Sequence, residues 1–194
     1  MAADDRHQAT PDRRLRLFCA LLLPDHDADA LAAWQLQHLR AGRLVPRANL
    51  HLTLAFLGSR PGGEVEAIAG ALRDAAAAAA GPLVLEPQGY RETRSVGMVV
   101  LRDVTGAATA LADDVGARLE ALGVYRHEPR PWLPHVTVLR FRERPRLAPP
   151  PPPGANICPS DAAVMVSVLR PDGAQYDVLE TTRLWNRWRS EGAQ

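Results

Sequence analysis

The sequence predicts an α+β domain with an internal duplication. Three observations predict it. Local patterns run strand–helix–strand–helix–strand–strand–helix–strand–strand–strand, and one four-residue motif occurs twice on strand-like runs. The length of 194 residues, with 46% hydrophobic and 23% charged side chains, fits one globular domain or two small lobes sharing a core.

Residues 1–13 read as a disordered lead, polar throughout and without the apolar segment of a secretory signal. Residues 14–23 (RLRLFCALLL) open as an alternation and close as an apolar run, as a buried strand does. Pro24 and Asp25 stop it. Ala30, Leu31, Trp34, Leu36 and Leu39 then recur at helical spacing, which predicts a helix over residues 27–40. Gly42 and Pro46 precede a second strand, residues 49–57 (NLHLTLAFL). An alanine-rich helix over residues 64–80 ends at Gly81–Pro82, since alanine has the best intrinsic helix propensity and Gly-Pro is a strong stop. Strands follow over 83–90 and 95–102, and then a helix over 106–122 with Leu111, Val115, Leu119 and Leu122 along one face. A Pro/Arg-rich loop, 126–134, leads into a strand over 135–141. Residues 149–153 are five consecutive prolines, which exclude helix and central strand and predict a polyproline connector. Strands over 161–169 and 175–185 close the chain as a hairpin across Pro171, Asp172 and Gly173. The expected organisation is one bilobal domain over residues 14–185 and a polar tail over 186–194.

The net charge of +1 excludes a protein that coats long nucleic-acid duplexes, yet permits local grip on one phosphate. All 23 basic residues are arginine, so any basic contact to phosphate is a planar guanidinium capable of bidentate bonding. Cys19 and Cys158, the only cysteines, suggest neither a disulfide framework nor a zinc site. No apolar run is long enough to span a bilayer, and a cytoplasmic monomer is the expectation.

The chemistry is concentrated in the repeat. His-x-Thr-x occurs as His51-Leu52-Thr53-Leu54 and as His135-Val136-Thr137-Val138. Strand side chains two apart share a face. Each motif therefore offers a His/Thr face to something polar. Leu50, Leu52, Leu54 and Phe56 should face the core in the first copy, and Val136 and Val138 in the second. Two such strands side by side would set two imidazoles and two hydroxyls around one cleft. That set suits a cyclic phosphodiester: one imidazole takes a proton from water, the other protonates the departing alkoxide, and the hydroxyls bind non-bridging oxygens. No carboxylate or cysteine stands at ligand spacing from either histidine, so neither a metal nor another cofactor is expected.

NLHLTLAFLG and WLPHVTVLRF resemble the two signatures of the two-histidine phosphoesterase superfamily. The chain is most similar to its branch of RNA 2′,3′-cyclic phosphodiesterases, historically called 2′-5′ RNA ligases. RLRLFCALLLP and VSVLRPDGAQYDVL resemble that family's first strand and closing hairpin. The resemblance implies two antiparallel sheets flanking a central cleft, with helices outside and a pseudo-two-fold duplication. It implies His51 as proton donor, His135 as proton acceptor, and Thr53, Thr137 and Arg140 as phosphate ligands. Arg140 lies five residues after His135, so it reaches the cleft only if the strand bends or ends there.

His127, Trp132 and Tyr90 could line the cleft or stack on a base, with loop or core packing as the competing role. Arg126, Arg130 and Arg142 could form a basic rim. The partner is then RNA with a 2′,3′-cyclic phosphate end, hydrolysed to a 2′-phosphate, with 2′-5′ joining of RNA ends through the same site. The competing readings are a phosphodiesterase of small cyclic nucleotides or ADP-ribose cyclic phosphate, and a non-catalytic module binding RNA ends.

Overall fold

The computed structural model describes residues 13–152, 156–170 and 173–184. The lead up to residue 12, Pro171, Asp172 and everything from Trp185 onward, the predicted tail included, lie outside the described residues. The strands are β1 (Arg14–Leu22), β2 (Arg43–Leu44), β3 (His51–Pro61), β4 (Leu85–Glu92), β5 (Val96–Asp103), β6 (His135–Arg140), β7 (Asp161–Arg170) and β8 (Gly173–Arg183). The helices are α1 (Asp25–His38), α2 (Val65–Ala78) and α3 (Ala107–Ala121).

All pairings are antiparallel, in the order β4-β5-β6-β3-β1-β7-β8, with β2 on β6. β3 and β6 share a single ladder pair, Leu52 with Val136. The sheet is thus two antiparallel arms, β3-β1-β7-β8 and β4-β5-β6 with β2, that meet at one step, and each arm contributes one motif strand. No helix among the described residues is long and apolar enough to cross a membrane.

β1 and β7 are apolar on both faces, which is why they read as continuous runs. Leu17, Cys19 and Leu21 join Ala162, Val164 and Val166 in the main core, while Phe18, Ala20, Ala163 and Met165 form a second cluster on the opposite face. The alanines of α2 let that helix pack closely against α3 and β7, with Ile68, Ala69, Leu72, Ala75 and Ala76 buried. In α1 the buried face is Ala28, Leu31, Trp34 and Gln35. Leu36, expected on that face, is 72% exposed, because it lies about 200° round the helix from Trp34. The predicted strand at residue 49 starts two residues later, since Arg47–Asn49 form a 3₁₀ turn. The Trp34 indole donates to the Pro150 carbonyl at 3.2 Å, which seats the proline run over α1.

Both motif strands contain a bulge, and in the same place. Thr53 pairs with Ala20 and Ala55 with Cys19, leaving Leu54 as the extra residue of β3. Thr137 pairs with Met98 and Leu139 with Gly97, leaving Val138 as the extra residue of β6. An extra residue reverses the alternation beyond it. Its carbonyl also needs a new partner. The Val138 carbonyl accepts from the Val45 amide at 3.0 Å and from the buried Gln35 side chain at 2.5 Å, and the same side chain donates to the Val45 carbonyl at 3.2 Å. Gln35 is thus the polar residue that α1 uses to hold the bulge and β2 together.

Gln35→Ala removes two buried hydrogen bonds and leaves a void, so chemical denaturation should show a loss of about 2–4 kcal/mol. A loss below about 0.5 kcal/mol would show that the bulge needs no support from α1.

Candidate active site

The site is organised around Leu52 and Val136, both fully buried and pointing toward the helices. One step either side of that pair, antiparallel register sets His51 toward Thr137 and Thr53 toward His135, on the face away from the core. The four side chains are related crosswise by the local two-fold. A cavity of about 320 Å³ is lined by His51, Thr53, Thr137 and Arg140. A second, of about 560 Å³, is lined by His135 and shares Thr53 and Phe56 with the first.

Both imidazoles are anchored alike. His51 Nδ1 lies 2.7 Å from the Asn49 carbonyl and His135 Nδ1 lies 2.8 Å from the Leu133 carbonyl, each two residues upstream. A carbonyl only accepts, so each Nδ1 carries the proton and donates, and each Nε2 remains for chemistry. His51 Nε2 is 3.2 Å from the Thr53 hydroxyl. The Asn49 amide donates to the Ala174 carbonyl at 2.8 Å and ties the first anchor to β8.

The surroundings of the two rings differ. Phe18 and Tyr176 contact His51 at ring-centre distances of 5.0 and 5.2 Å, and each other at 5.1 Å. Burial in this aromatic corner pushes the His51 imidazole from 6.5 down to about 4; the bond to Asn49 opposes that shift, and the charges of His135 and Arg140 add to it. His51 is therefore neutral at neutral pH in the free protein.

The bulges decide what else enters. Beyond Leu54 the parity reverses, so Phe56, expected in the core, is 48% exposed and lines both cavities. Beyond Val138 the same reversal brings Arg140 to the cleft, where its guanidinium donates to the Tyr176 hydroxyl at 3.2 Å. Phe56 and Arg140 each lie five residues after a motif histidine and occupy equivalent positions. Arg16 and Arg43 also line the smaller cavity, and the Arg16 guanidinium sits 4.8 Å over the Phe56 ring.

The other sequence candidates separate. Trp132 and His127 line the larger cavity; the Trp132 indole donates to the Thr53 carbonyl at 2.9 Å, and His127 packs edge-on to Tyr125. Arg130 lines it too, paired with Glu128 at 2.8 Å. Arg126 and Arg142 are exposed and line neither cavity. Tyr90 lies away from both, covering Gly97 and donating to the buried Glu92 carboxylate at 3.2 Å. Phe18, Tyr176 and Asn49 do not stand out in the sequence. Phe18 and Tyr176 sit within ordinary strand patterns, and the backbone anchors of the histidines have no side-chain signature. Phe56 does leave a signal, its spacing from His51 matching that of Arg140 from His135. Among the described residues no three His, Cys, Asp or Glu side chains gather as they would to hold a metal.

Comparison with known proteins finds relatives across most of the chain. A family model described as the 2′-5′ RNA ligase superfamily matches residues 23–150. The chain is 32% identical to an RNA 2′,3′-cyclic phosphodiesterase of Escherichia coli over 141 residues, 70% of this chain and 77% of that one. It is 30% identical to a protein of the same name from Thermus thermophilus over 192 residues, 93% of this chain and 96% of that one. Among solved structures, E. coli LigT in its apo form superposes with a TM-score of 0.74 at 25% identity, covering 89% of this chain and 99% of LigT. With matches to both motif strands and to the arms that hold them, the chain belongs to the 2′-5′ RNA ligase superfamily.

Proposed function

We propose that the cleft hydrolyses a terminal RNA 2′,3′-cyclic phosphate to a 2′-phosphate. The observation that carries this reading is the pair of histidines, each with Nδ1 tied to the carbonyl two residues upstream and Nε2 left for proton transfer, on the two strands that meet at Leu52 and Val136. The names of the two relatives support the substrate class. His135 Nε2 accepts a proton from water as the water attacks phosphorus. The P–O3′ bond breaks, and His51 Nε2–H delivers its proton to the departing oxygen. The Thr53 and Thr137 hydroxyls and the Arg140 guanidinium hold the non-bridging oxygens as charge develops. Both histidines come from one chain, so the reaction needs no second subunit. The free thiols Cys19 and Cys158 suit a cytoplasmic setting.

A donor must begin protonated, whereas His51 is held at about 4 in the free protein. A phosphodiester anion between the rings offsets the positive charge of Arg140, so substrate raises the His51 pKa and arms the acid. The arginines around His51 favour an RNA end over a small cyclic nucleotide, because a strand brings further phosphates. Parallel turnover of oligonucleotide, mononucleotide and ADP-ribose cyclic phosphates should place the oligonucleotide first in kcat/KM, and exhaustive chelation should leave that turnover intact. No turnover of any of them would overturn the proposal.

His51→Ala and His135→Ala should each lower kcat by about 10²–10⁴. A substrate with a leaving oxygen that needs no protonation should restore His51→Ala far more than His135→Ala; equal rescue would contradict the roles. The pH profile supplies a further check. Loss of the His51 proton sets the alkaline limb, and bound phosphate raises that pKa. The alkaline limb of kcat should therefore lie at higher pH than that of kcat/KM. A limb displaced to lower pH would show that substrate does not arm His51.

A further inference from the structure

The smaller cavity opens in two directions that differ in charge. Past Phe56 it meets the larger cavity, where Arg91 and Arg130 are balanced by Asp113 and Glu128. In the other direction it continues into a third cavity of about 370 Å³, between β2 and the start of β8. Arg43, Asn49, Arg140, Gly173 and Tyr176 border both, so the third space extends the cleft. Its wall has no carboxylate among the described residues. A strand of phosphates is therefore drawn toward β2 and β8, and finds no net attraction past Phe56.

Strand pairing puts two guanidiniums where the cavities join. Arg43 and Arg140 are direct partners in the antiparallel ladder of β2 and β6, and both are exposed. Residues directly opposed across a ladder share a face, so the two cations stand together, and a phosphate beside them lowers their repulsion. Arg140 donates to the Tyr176 hydroxyl at 3.2 Å. Arg43 reaches the tip of the β7–β8 hairpin, where a Cβ at Gly173 would overlap its guanidinium. Gly173, at φ +134°, thus leaves room for the arginine between the two arms of the sheet.

In phosphoryl transfer the attacking and leaving oxygens lie roughly in line across phosphorus. With His51 protonating O3′, the ribose that carries the cyclic phosphate lies on the His51 side, in the smaller cavity. The next phosphate of the strand, on O5′ of that ribose, is one sugar further on. Beyond Arg43 the wall is aliphatic, with Val45, Pro46 and Ala48, and Tyr176 is already engaged with His51 and Arg140. Such a wall offers a base little to stack on, so it suits recognition of the backbone.

We infer that Arg43 is a specificity residue that binds the 5′-phosphate of the nucleotide bearing the cyclic phosphate, and that the cavity between β2 and β8 takes the sugar–phosphate of the nucleotide before it. The inference rests on the phosphodiesterase reading and adds to it a preferred minimum substrate, the cyclic end with one further charged phosphate.

The test compares adenosine 2′,3′-cyclic phosphate, its 5′-phosphate methyl ester, and the uncharged 5′-methylphosphonate methyl ester. Wild-type protein should turn over the charged ester with a kcat/KM at least about tenfold above the other two, the low end for a charge-assisted bond. In Arg43→Ala the ratio of charged to uncharged ester should fall to within about twofold of one, whatever happens to the 5′-hydroxyl compound. Arg43→Lys keeps the charge but not the planar fork, and should lower the ratio by about threefold or more; it decides the matter if the alanine variant fails to fold. Equal turnover of the charged and uncharged esters by wild type would overturn the inference while leaving the hydrolase intact. So would equal losses on all three compounds in the Arg43 variants, the mark of a structural role. A charge preference that survives Arg43→Ala and disappears in Arg16→Ala would also overturn it, because the strand would then leave past Phe56. Absence of any cyclic-phosphate turnover, oligonucleotides included, would instead remove the phosphodiesterase reading itself.

Discussion

The extra residue that follows each motif threonine, Leu54 in β3 and Val138 in β6, determines what the cleft contains. Regular alternation would keep His51 and Thr53 on the cleft face, yet would send Phe56 and Arg140 into the core. A guanidinium directed into the apolar core would remain charged there without a partner, at a cost the fold could not offset. The bulges avoid this by reversing parity after the threonine, so each strand can be apolar on one side and still present a side chain five residues past its histidine. The Val138 carbonyl freed by the β6 bulge is not left unpaired, since it has Val45 and Gln35; beside the β3 bulge, the Thr53 carbonyl has the Trp132 indole. Of the buried polar residues, Gln35 and Asn49 are thus connected to the geometry of the cleft.

The two copies of one motif stand in unlike surroundings, which is what the two unlike tasks proposed for them require. The backbone anchors are equivalent, so both rings have the same tautomer and the same free nitrogen. His51 then lies against Phe18 and Tyr176 with Arg140 close by, whereas His135 opens onto the larger, electrically balanced cavity. Desolvation and nearby positive charge hold His51 neutral in the free protein. In the proposed mechanism, binding energy from the phosphate goes partly into setting the protonation state of the acid.

Much of this can be read from the chain, and the exceptions share a cause. Among the described residues, periodicity locates every strand longer than two residues and all three helices, because their apolar faces are long and regular. β2 escapes notice since Arg43 and Leu44 are too few to show a pattern, and Leu36 falls on the wrong side of α1 because spacing alone does not separate it from Gln35. The motif histidines and threonines are legible as a repeat. Phe56 is misplaced and Arg140 left open for one reason: a bulge is set by strand pairing, which lies outside the local pattern. Tyr176 and Phe18 become visible only when β8 and β1 bring them together over His51.

The central claim is that two equivalent imidazoles, anchored through Nδ1, address a single phosphate through Nε2. It is tested most directly by nitrogen NMR of the histidine side chains, with the nucleoside 2′-phosphate product added stepwise. Both His51 and His135 should appear in the free protein as the tautomer protonated at Nδ1. Both Nε2 resonances should then move together on binding while the Nδ1 signals stay near their carbonyl-bonded positions. A response confined to one ring, or either ring protonated at Nε2 in its neutral form, would contradict the account.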